Sequence, residues 1–297
     1  MKLCLGTVQF GISYGLKGRR PPSLEEAMEM MTYAVANGVD AFDTAVAYGS
    51  AEEIVGEFVH RRLCPRDKIQ IITKFGMGIF GQGVDASAGR KIRDAACRSI
   101  KRLRTDYIDA FLCHVPASVY DQNVVEGLNA LKREGLVRHV GITAYEVVDA
   151  HACAANPSLD FLQIPLSVLD QRMTSQKVLD RCEETGTVVH VRSAFVQGLL
   201  LMDVNAVPPH LVGCVPALRE FTRLCADYGV DRRQVALAYV KRQRGVSDLV
   251  FGVHDMVQLQ ETISDFNANI DMSVVDEIAS RFSNVDANLF MPNKWRT

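Results

Sequence analysis

No two cysteines in this sequence stand three residues apart, tryptophan occurs once, aromatic residues make up 7%, and neither sign of charge dominates. Each shortage removes a class of function. The eight cysteines, at positions 4, 64, 97, 113, 153, 182, 214 and 225, lie among apolar runs without the paired spacing of a zinc site or a redox motif. They read as reduced core thiols of a cytoplasmic protein. His60, His139, His151, His190 and His210 likewise lack HxxxH or comparable spacing, so no metal is expected. With 33 Lys and Arg against 35 Asp and Glu and a pI near 6.4, the chain offers no basic face to nucleic acid or to an anionic membrane. The opening MKLCLGTVQF is broken by Gly6 and Gln9 too early for a signal peptide, and no apolar run approaches the length of a membrane span. A small molecule is the expected partner; no heptad pattern speaks to oligomeric state.

What the sequence does have is a long alternation of strand-like and helix-like segments. Strands are expected at Lys2–Val8, Val39–Asp43, Lys68–Lys74, Tyr107–His114, Arg138–Thr143, Phe161–Ile164, Thr187–Val191 and Asp248–Phe251. Between them come helices at Leu24–Asn37, with Ser23 as N-cap and Gly38 as stop, then Ala51–Arg61, Arg90–Leu103, Val124–Arg133, Val147–Ala155 and Ser175–Thr185. Further helices follow at Pro216–Tyr228, Arg232–Arg242, Met256–Phe266 and Ser273–Phe282. Eight strands in parallel α/β order, with no Pro-, Gly- or Ser-rich linker dividing residues 1–297, predict a single (β/α)8 TIM barrel domain rather than an open doubly wound sheet. The two longest gaps, Phe75–Gly89 and Ser193–Val215, both follow strands and are expected over the barrel mouth.

Four ionisable residues stand where successive strands end: Asp43 in FDTA, Tyr48 in AYGS, Lys74 in IITK and His114 in FLCH. Strand C-termini of such a barrel converge on one face, so these residues would meet in one pocket. Singly each has an ordinary reading, as a helix cap, a turn residue or a solvated lysine. Together they suit proton transfer to a carbonyl oxygen. A phenol of pKa about 10 is a poor acid at neutral pH. A neighbouring Lys74 ammonium would lower that value, Asp43 would hold the lysine, and His114 would orient the carbonyl.

The segments LGTVQFG (Leu5–Gly11), FDTAVAYGSAEEIVGEF (Phe42–Phe58), TKFG (Thr73–Gly76) and SIKRLRTDYIDAFLCH (Ser99–His114) carry a family resemblance. So do LKREGLVRHVGIT (Leu131–Thr143), LQIPLSVLDQR (Leu162–Arg172), RSAFVQGLLL (Arg192–Leu201) and FGVHDMVQLQETI (Phe251–Ile263). In that collinear order the chain resembles the aldo-keto reductases, and its opening, RSAFVQGLL and the late tryptophan look most like a bacterial branch associated with sugar or spore-coat polysaccharide biosynthesis. The resemblance implies a barrel oxidoreductase that interconverts a carbonyl and an alcohol, with Asp43, Tyr48, Lys74 and His114 as the catalytic set. It implies a keto-sugar or aldose substrate, with Phe10, Tyr14, Tyr48, His114 and Trp295 as pocket walls.

By the same resemblance the cofactor, NADPH on family frequency with NAD as the alternative, lies against Gly6, Thr7 and Val8, against Asp43, Thr143 and Gln163, and against Arg192, Ser193, Gln197 and Gly198. Its adenosine phosphate is expected on Phe251, Gly252, Val253, His254, Gln258, Glu261 and Thr262, at a helix N-terminus. Three departures stand out. Ala144 occupies the place of a frequent amide-binding Asn, and Arg192 that of an aromatic that stacks on the nicotinamide; a guanidinium can stack, or reach a phosphate or a substrate acid. Gly252 and Gln258 replace frequent cations, leaving His254 as the expected partner of a 2′-phosphate. Gly76-Met77-Gly78-Ile79-Phe80-Gly81 fits GxGxxG, but the residues after it form no helix start, so it is expected as a flexible loop over the mouth. Arg61-Arg62 and Arg232-Arg233 read as solvated helix ends. Competing functions are a dinucleotide sensor with little turnover, and a barrel isomerase or lyase using transient redox.

Overall fold

The computed structural model describes residues 1–16, 18–81, 83–116 and 120–295. Eight parallel strands close into a barrel in sequence order: β1 (Lys2–Gly6), β2 (Ala41–Asp43), β3 (Gln70–Phe75), β4 (Ile108–Cys113), β5 (Val137–Thr143), β6 (Phe161–Pro165), β7 (Val188–Arg192) and β8 (Asp248–Gly252). The seam pairs Cys4 of β1 with Val250 of β8. Outside it run α1 (Leu24–Ala36), α2 (Ala51–His60), α3 (Ala88–Arg102), α4 (Gln122–Arg133), α5 (Val147–Ala155) and α6 (Val178–Thr185). They are followed by α7 (Val215–Asp227), α8 (Arg232–Lys241), α9 (Met256–Asn267) and α10 (Met272–Ser280). Among the described residues no helix is long and apolar enough to cross a membrane.

Local chemistry explains where the helices begin. Ser23 accepts the Glu26 N–H while the Glu26 carboxylate accepts from the Ser23 N–H, a reciprocal cap that starts α1. Asp121, Asp231, Asp255 and Asp271 cap α4, α8, α9 and α10 with their side chains. Apolar residues on the barrel side of each helix join the outward faces of the strands in one large core, which holds Leu5, Phe42, Phe75 and Phe111.

A second, smaller cluster draws Cys4, Ala41, Ile72, Leu112 and Phe161 from β1, β2, β3, β4 and β6, with Val188 and Val250 packed against it. These residues fill the barrel interior. Because a strand alternates its faces with period two, the positions two residues further on also point inward, one layer closer to the C-terminal mouth. They are Gly6, Asp43, Lys74, His114, Gln163 and Gly252; on β7, His190 instead packs on Phe161 of the lower cluster and stands 3.2 Å from Asp248 at the start of β8. Fold geometry alone therefore gathers most of the ionisable strand ends in one layer.

Several boundaries differ from the sequence expectation. The first strand stops at Gly6, and Val8–Gly11 forms a single helical turn. The helix expected from Ser175 splits into a turn at Arg172–Ser175 and α6, with Lys177 between them at φ 56°. The gap after β7 contains three short helical turns, Val196–Leu201, Val204–Ala206 and Pro209–Cys214. The glycine loop after β3 is not an open flap over the mouth: Met77–Phe80 is a helical turn, and Phe80 is buried edge-on against Phe75. Its Gln82 lies outside the described residues. At the opposite rim, Asp160 accepts hydrogen bonds from the Val140 N–H (2.9 Å) and Lys132, and His139 Nδ1 stands 3.5 Å from it. Burial pushes its carboxyl up, but these donors outweigh that and hold it at about 2.

Candidate active site

Asp43 is the hub of the mouth layer. Lys74 Nζ donates to Asp43 Oδ1 at 2.6 Å and to the Thr44 carbonyl at 3.0 Å, and Gln163 Nε2 donates to Asp43 Oδ2 at 2.7 Å. Thr7 Oγ1 donates to the Asp43 carbonyl oxygen at 3.0 Å. All five residues that meet here are buried, and the ammonium side chain is 0% exposed. Both charges are thus opposed and hydrogen-bonded, as buried charges must be. Behind Lys74, Thr73 donates to the buried Glu52 of α2 (2.6 Å), which also accepts from Arg102 of α3 (2.5 Å), so two helices brace the strand that carries the lysine.

Tyr48 comes from the loop between β2 and α2. Its N–H donates to the Ala45 carbonyl (2.9 Å), and its own carbonyl accepts from Ala51 (3.1 Å). The helical turn Val8–Gly11 packs directly against it: a Cβ on Gly11 would stand 1.7 Å from the Tyr48 carbonyl oxygen. Only a glycine fits there. The Tyr48 ring lies edge-on to His114, with centroids 5.8 Å apart, and Lys74 Nζ is 5.2 Å from its centre. His114 follows β4, where Thr143 Oγ1 donates to its carbonyl (3.0 Å).

Burial is the main cause that raises the Tyr48 phenol above its usual value, and the Asp43 carboxylate adds to it, while Arg192 works against both. Lys74, expected to lower the phenol, is bonded to the Asp43 carboxylate, which raises it. His114 is pushed down to about 4, first by burial and then by Lys74, and stays a neutral imidazole at physiological pH. The arrangement is a protonated phenol and a neutral imidazole on the edge of a cavity, backed by a buried ion pair.

The cavity, about 480 Å³, runs from Asp43, Tyr48, His114, Tyr145 and Arg192 to Gly252, His254, Gln258 and Thr262 on β8 and α9. Its other walls come from Gly6, Val8 and Gln9, and from the segment after β7 that contributes Ser193, Phe195, Gln197 and Gly198. That segment is backbone-strained, with positive φ at Ser193 (68°), Val196 (49°) and Gln197 (56°). Gln197 Nε2 donates to the Tyr14 hydroxyl (3.1 Å), and Arg19 pairs with Asp255 (3.0 Å), so Tyr14 and Arg19, which both line the cavity, are each tied to another part of its wall.

Residues 2–281 match the profile of the Aldo/keto reductase family. The chain belongs to that family. It is 27% identical over 276 residues to the NADH-specific methylglyoxal reductase of Escherichia coli, covering 82% of this chain and 84% of that one. It is 26% identical over 257 residues to the L-galactose dehydrogenase of Arabidopsis thaliana, covering 82% and 79%. An aldo-keto reductase from Bacillus halodurans in its holo form superposes with a TM-score of 0.76 over 96% of this chain and 92% of that one, at 23% identity; that likeness concerns the fold. As an aldo-keto reductase the chain is an oxidoreductase that uses a nicotinamide dinucleotide on small-molecule carbonyl compounds.

The residues present fit such a dinucleotide. Three buried polar atoms lacking a hydrogen-bond partner, Gln9 Oε1, Arg192 Nη2 and His254 Nδ1, belong to residues that line the cavity. A Cβ on Gly252 would strike the Gln9 amide at 2.3 Å, so the glycine is what lets Gln9 lie against the end of β8 in the cavity wall. Of the positions expected for an aldo-keto reductase cofactor, Gly6, Val8, Asp43, Arg192, Ser193, Gln197, Gly198, Phe251, Gly252, Val253, His254, Gln258, Glu261 and Thr262 line the cavity. Thr7, Thr143 and Gln163 do not. Each is buried behind the wall with its side chain committed to Asp43 or His114.

Two substrate-wall expectations are also corrected. Phe10 is carried by the Val8–Gly11 turn into the main core. Trp295 gives its indole N–H to the Leu289 carbonyl (2.9 Å) and packs on the core, away from the cavity. Tyr145 takes a wall position instead, just after the Ala144 departure, with Arg192 stacked 4.2 Å from its ring centre. Arg232 and Arg233 are not plain solvated helix ends. Arg232 donates to the Leu201 and Met202 carbonyls (both 3.1 Å), and Arg233 lines the cavity, paired with Glu261 (2.8 Å) and Asp265 (3.2 Å). The only signal for Arg233 was its place in the first turn of a helix preceding a strand whose C-terminus faces the mouth.

Proposed function

We propose that this aldo-keto reductase reduces an aldehyde or ketone to an alcohol, with Tyr48 donating the proton. The bound dinucleotide supplies the hydride. Tyr48 delivers its hydroxyl proton to the carbonyl oxygen; burial raises the phenol and so weakens it as an acid, which makes stabilisation of its phenolate by a neighbouring cation the decisive contribution. Neutral His114 orients that oxygen by hydrogen bonding. Lys74, fixed on Asp43, sits 5.2 Å from the Tyr48 ring and stabilises the phenolate left behind. The observation that carries the reading is the convergence of these four side chains at one end of a cavity that continues to the N-terminus of α9.

Two observations bear on which dinucleotide is used. Arg19 and Arg233, the guanidiniums at the far end, already face Asp255 and Glu261, and burial lowers the His254 pKa so that it carries little charge at neutral pH. Both weaken the case for binding a 2′-phosphate, and the E. coli relative is named NADH-specific. NADH therefore stands beside NADPH as the reductant to be tested. Walls from Tyr14, Tyr48, Tyr145 and His114 suit a polyhydroxylated compound such as a keto-sugar or an aldose.

The test is fluorescence titration with NADPH and NADH in parallel, then loss of reduced-nicotinamide absorbance with a panel of aldehydes and keto-sugars. Tyr48→Phe is expected to lower turnover by about 10²- to 10⁴-fold with dinucleotide binding kept. Unchanged turnover would remove Tyr48 as the proton donor.

A further inference from the structure

Three guanidiniums line the cavity, and only two have a counter-charge. Arg19 is bonded to Asp255, and Arg233 to Glu261 and Asp265. Arg192 has no carboxylate partner among the described residues. Its Nη1 donates to Ser193 Oγ at 3.3 Å, its plane lies over the Tyr145 ring at 4.2 Å, and its Nη2 is buried with no hydrogen-bond partner. A guanidinium partly withdrawn from water, as here at Nη2, keeps part of a desolvation cost that an opposite charge offsets, and its planar fork matches the paired oxygens of a carboxylate or phosphate. Tyr145 holds that fork in one orientation. Arg192 closes β7 at the end of the cavity occupied by Tyr48 and His114, whereas the paired arginines stand beside α9 at the other end.

We infer that Arg192 is a specificity-determining residue that receives an anionic group, a carboxylate or a phosphate, of the carbonyl substrate, so that this enzyme prefers anionic carbonyl compounds to neutral ones. This rests on the reductase reading above. The same anionic chemistry could also come from the dinucleotide, and the test separates the two sources.

Rates with 4-carboxybenzaldehyde and with its neutral amide, 4-formylbenzamide, are compared in wild type, Arg192→Gln and Arg192→Lys, together with dissociation constants for NADH and NADPH by fluorescence. The ratio of kcat/KM, acid over amide, is expected to fall about 10- to 100-fold in Arg192→Gln, and to recover in part in Arg192→Lys. The dinucleotide constants are expected to move by less than that factor. A ratio that holds while dinucleotide binding weakens tenfold or more assigns Arg192 to the cofactor and overturns the inference. If the wild type turns over neither aldehyde, the reductase reading has failed, and calorimetric titration with 4-(hydroxymethyl)benzoate against its amide decides the inference alone. Preference for the acid that disappears in Arg192→Gln supports it; absence of any preference, no binding included, overturns it.

Discussion

Removing one charge of the Asp43–Lys74 pair should cost more than removing both. The two charges are 2.6 Å apart with side chains 5% and 0% exposed. At an effective dielectric of 20 their attraction is about 6 kcal/mol. Asp43→Asn leaves the Lys74 ammonium with only the Thr44 carbonyl, and Lys74→Met leaves the Asp43 carboxylate with only the Gln163 amide. Each single change is expected to destabilise by about 3–5 kcal/mol. In a chain of this size that lowers the melting temperature by roughly 6–10 °C. The double variant Asp43→Asn, Lys74→Met buries no unpaired charge, so it should be no less stable than the worse single variant, a coupling of about 3 kcal/mol or more. Circular-dichroism melts and urea midpoints of the four proteins measure the cycle, with carbonyl-dependent dinucleotide oxidation alongside. Stability is expected to return in the double variant while turnover does not. Losses that add within about 0.5 kcal/mol would show that the pair is not coupled, and the account of its burial would be wrong.

Gly11→Ala places a methyl 1.7 Å from the Tyr48 carbonyl, so the loop carrying Tyr48 must shift; turnover should fall at least tenfold with dinucleotide affinity changed far less, as steady-state rates and fluorescence titration will report. His114, held down at about 4, stays neutral from pH 8 to pH 6, so kcat/KM should be flat with respect to it there and fall only as pH approaches 4; an inflection near 6.5 that disappears in His114→Gln would contradict the buried imidazole. Asp160 has a folded value of about 2 against an ordinary carboxyl value near 3.8, so its stabilising contribution is full above the unfolded value and is lost as pH falls through about 2. With part of the side chain in solvent this amounts to about 1–2 kcal/mol, read as the urea-midpoint gap between wild type and Asp160→Asn, which should be constant above pH 5 and close toward pH 2.

The barrel was legible because both periodicities are strong: strands buried on two faces read as apolar runs, and helices such as α3 repeat Ile92, Ala95, Ala96 and Ser99 on one face. The mouth layer was legible for a related reason, since Asp43, Lys74 and His114 each stand at the end of such a run. What escaped the sequence depends on contacts between distant segments. Lys2–Val8 reads as one continuous strand, and only the packing of Gly11 on Tyr48 explains why the chain turns into a helix at Val8. An aromatic side chain does not announce which side of the barrel wall it will join, so Phe10 and Trp295 went to the core while Tyr145 went to the cavity. The amide of Gln163 found a carboxylate, a stronger acceptor than any neutral group nearby, and that choice is invisible without the register that sets β6 beside β5 and β7.

Tyr48, Lys74, His114 and their partner Asp43 all lie ahead of β5, while most of the rest of the cavity wall is drawn from residues 192 to 262, after β6, with Gly6, Val8, Gln9, Tyr14, Gly15, Leu16, Arg19 and Tyr145 supplying the remainder. The proton-transfer group and most of the recognition surface are therefore written in separate stretches of the gene. A recombination event falling between β6 and β7 would exchange much of the ligand-facing wall of two relatives while passing on the proton-transfer apparatus whole, with the Gln163–Asp43 bond inherited alongside it. Diversification by loop exchange in the C-terminal third, with the first 165 residues held constant, is the evolutionary route this layout leaves open.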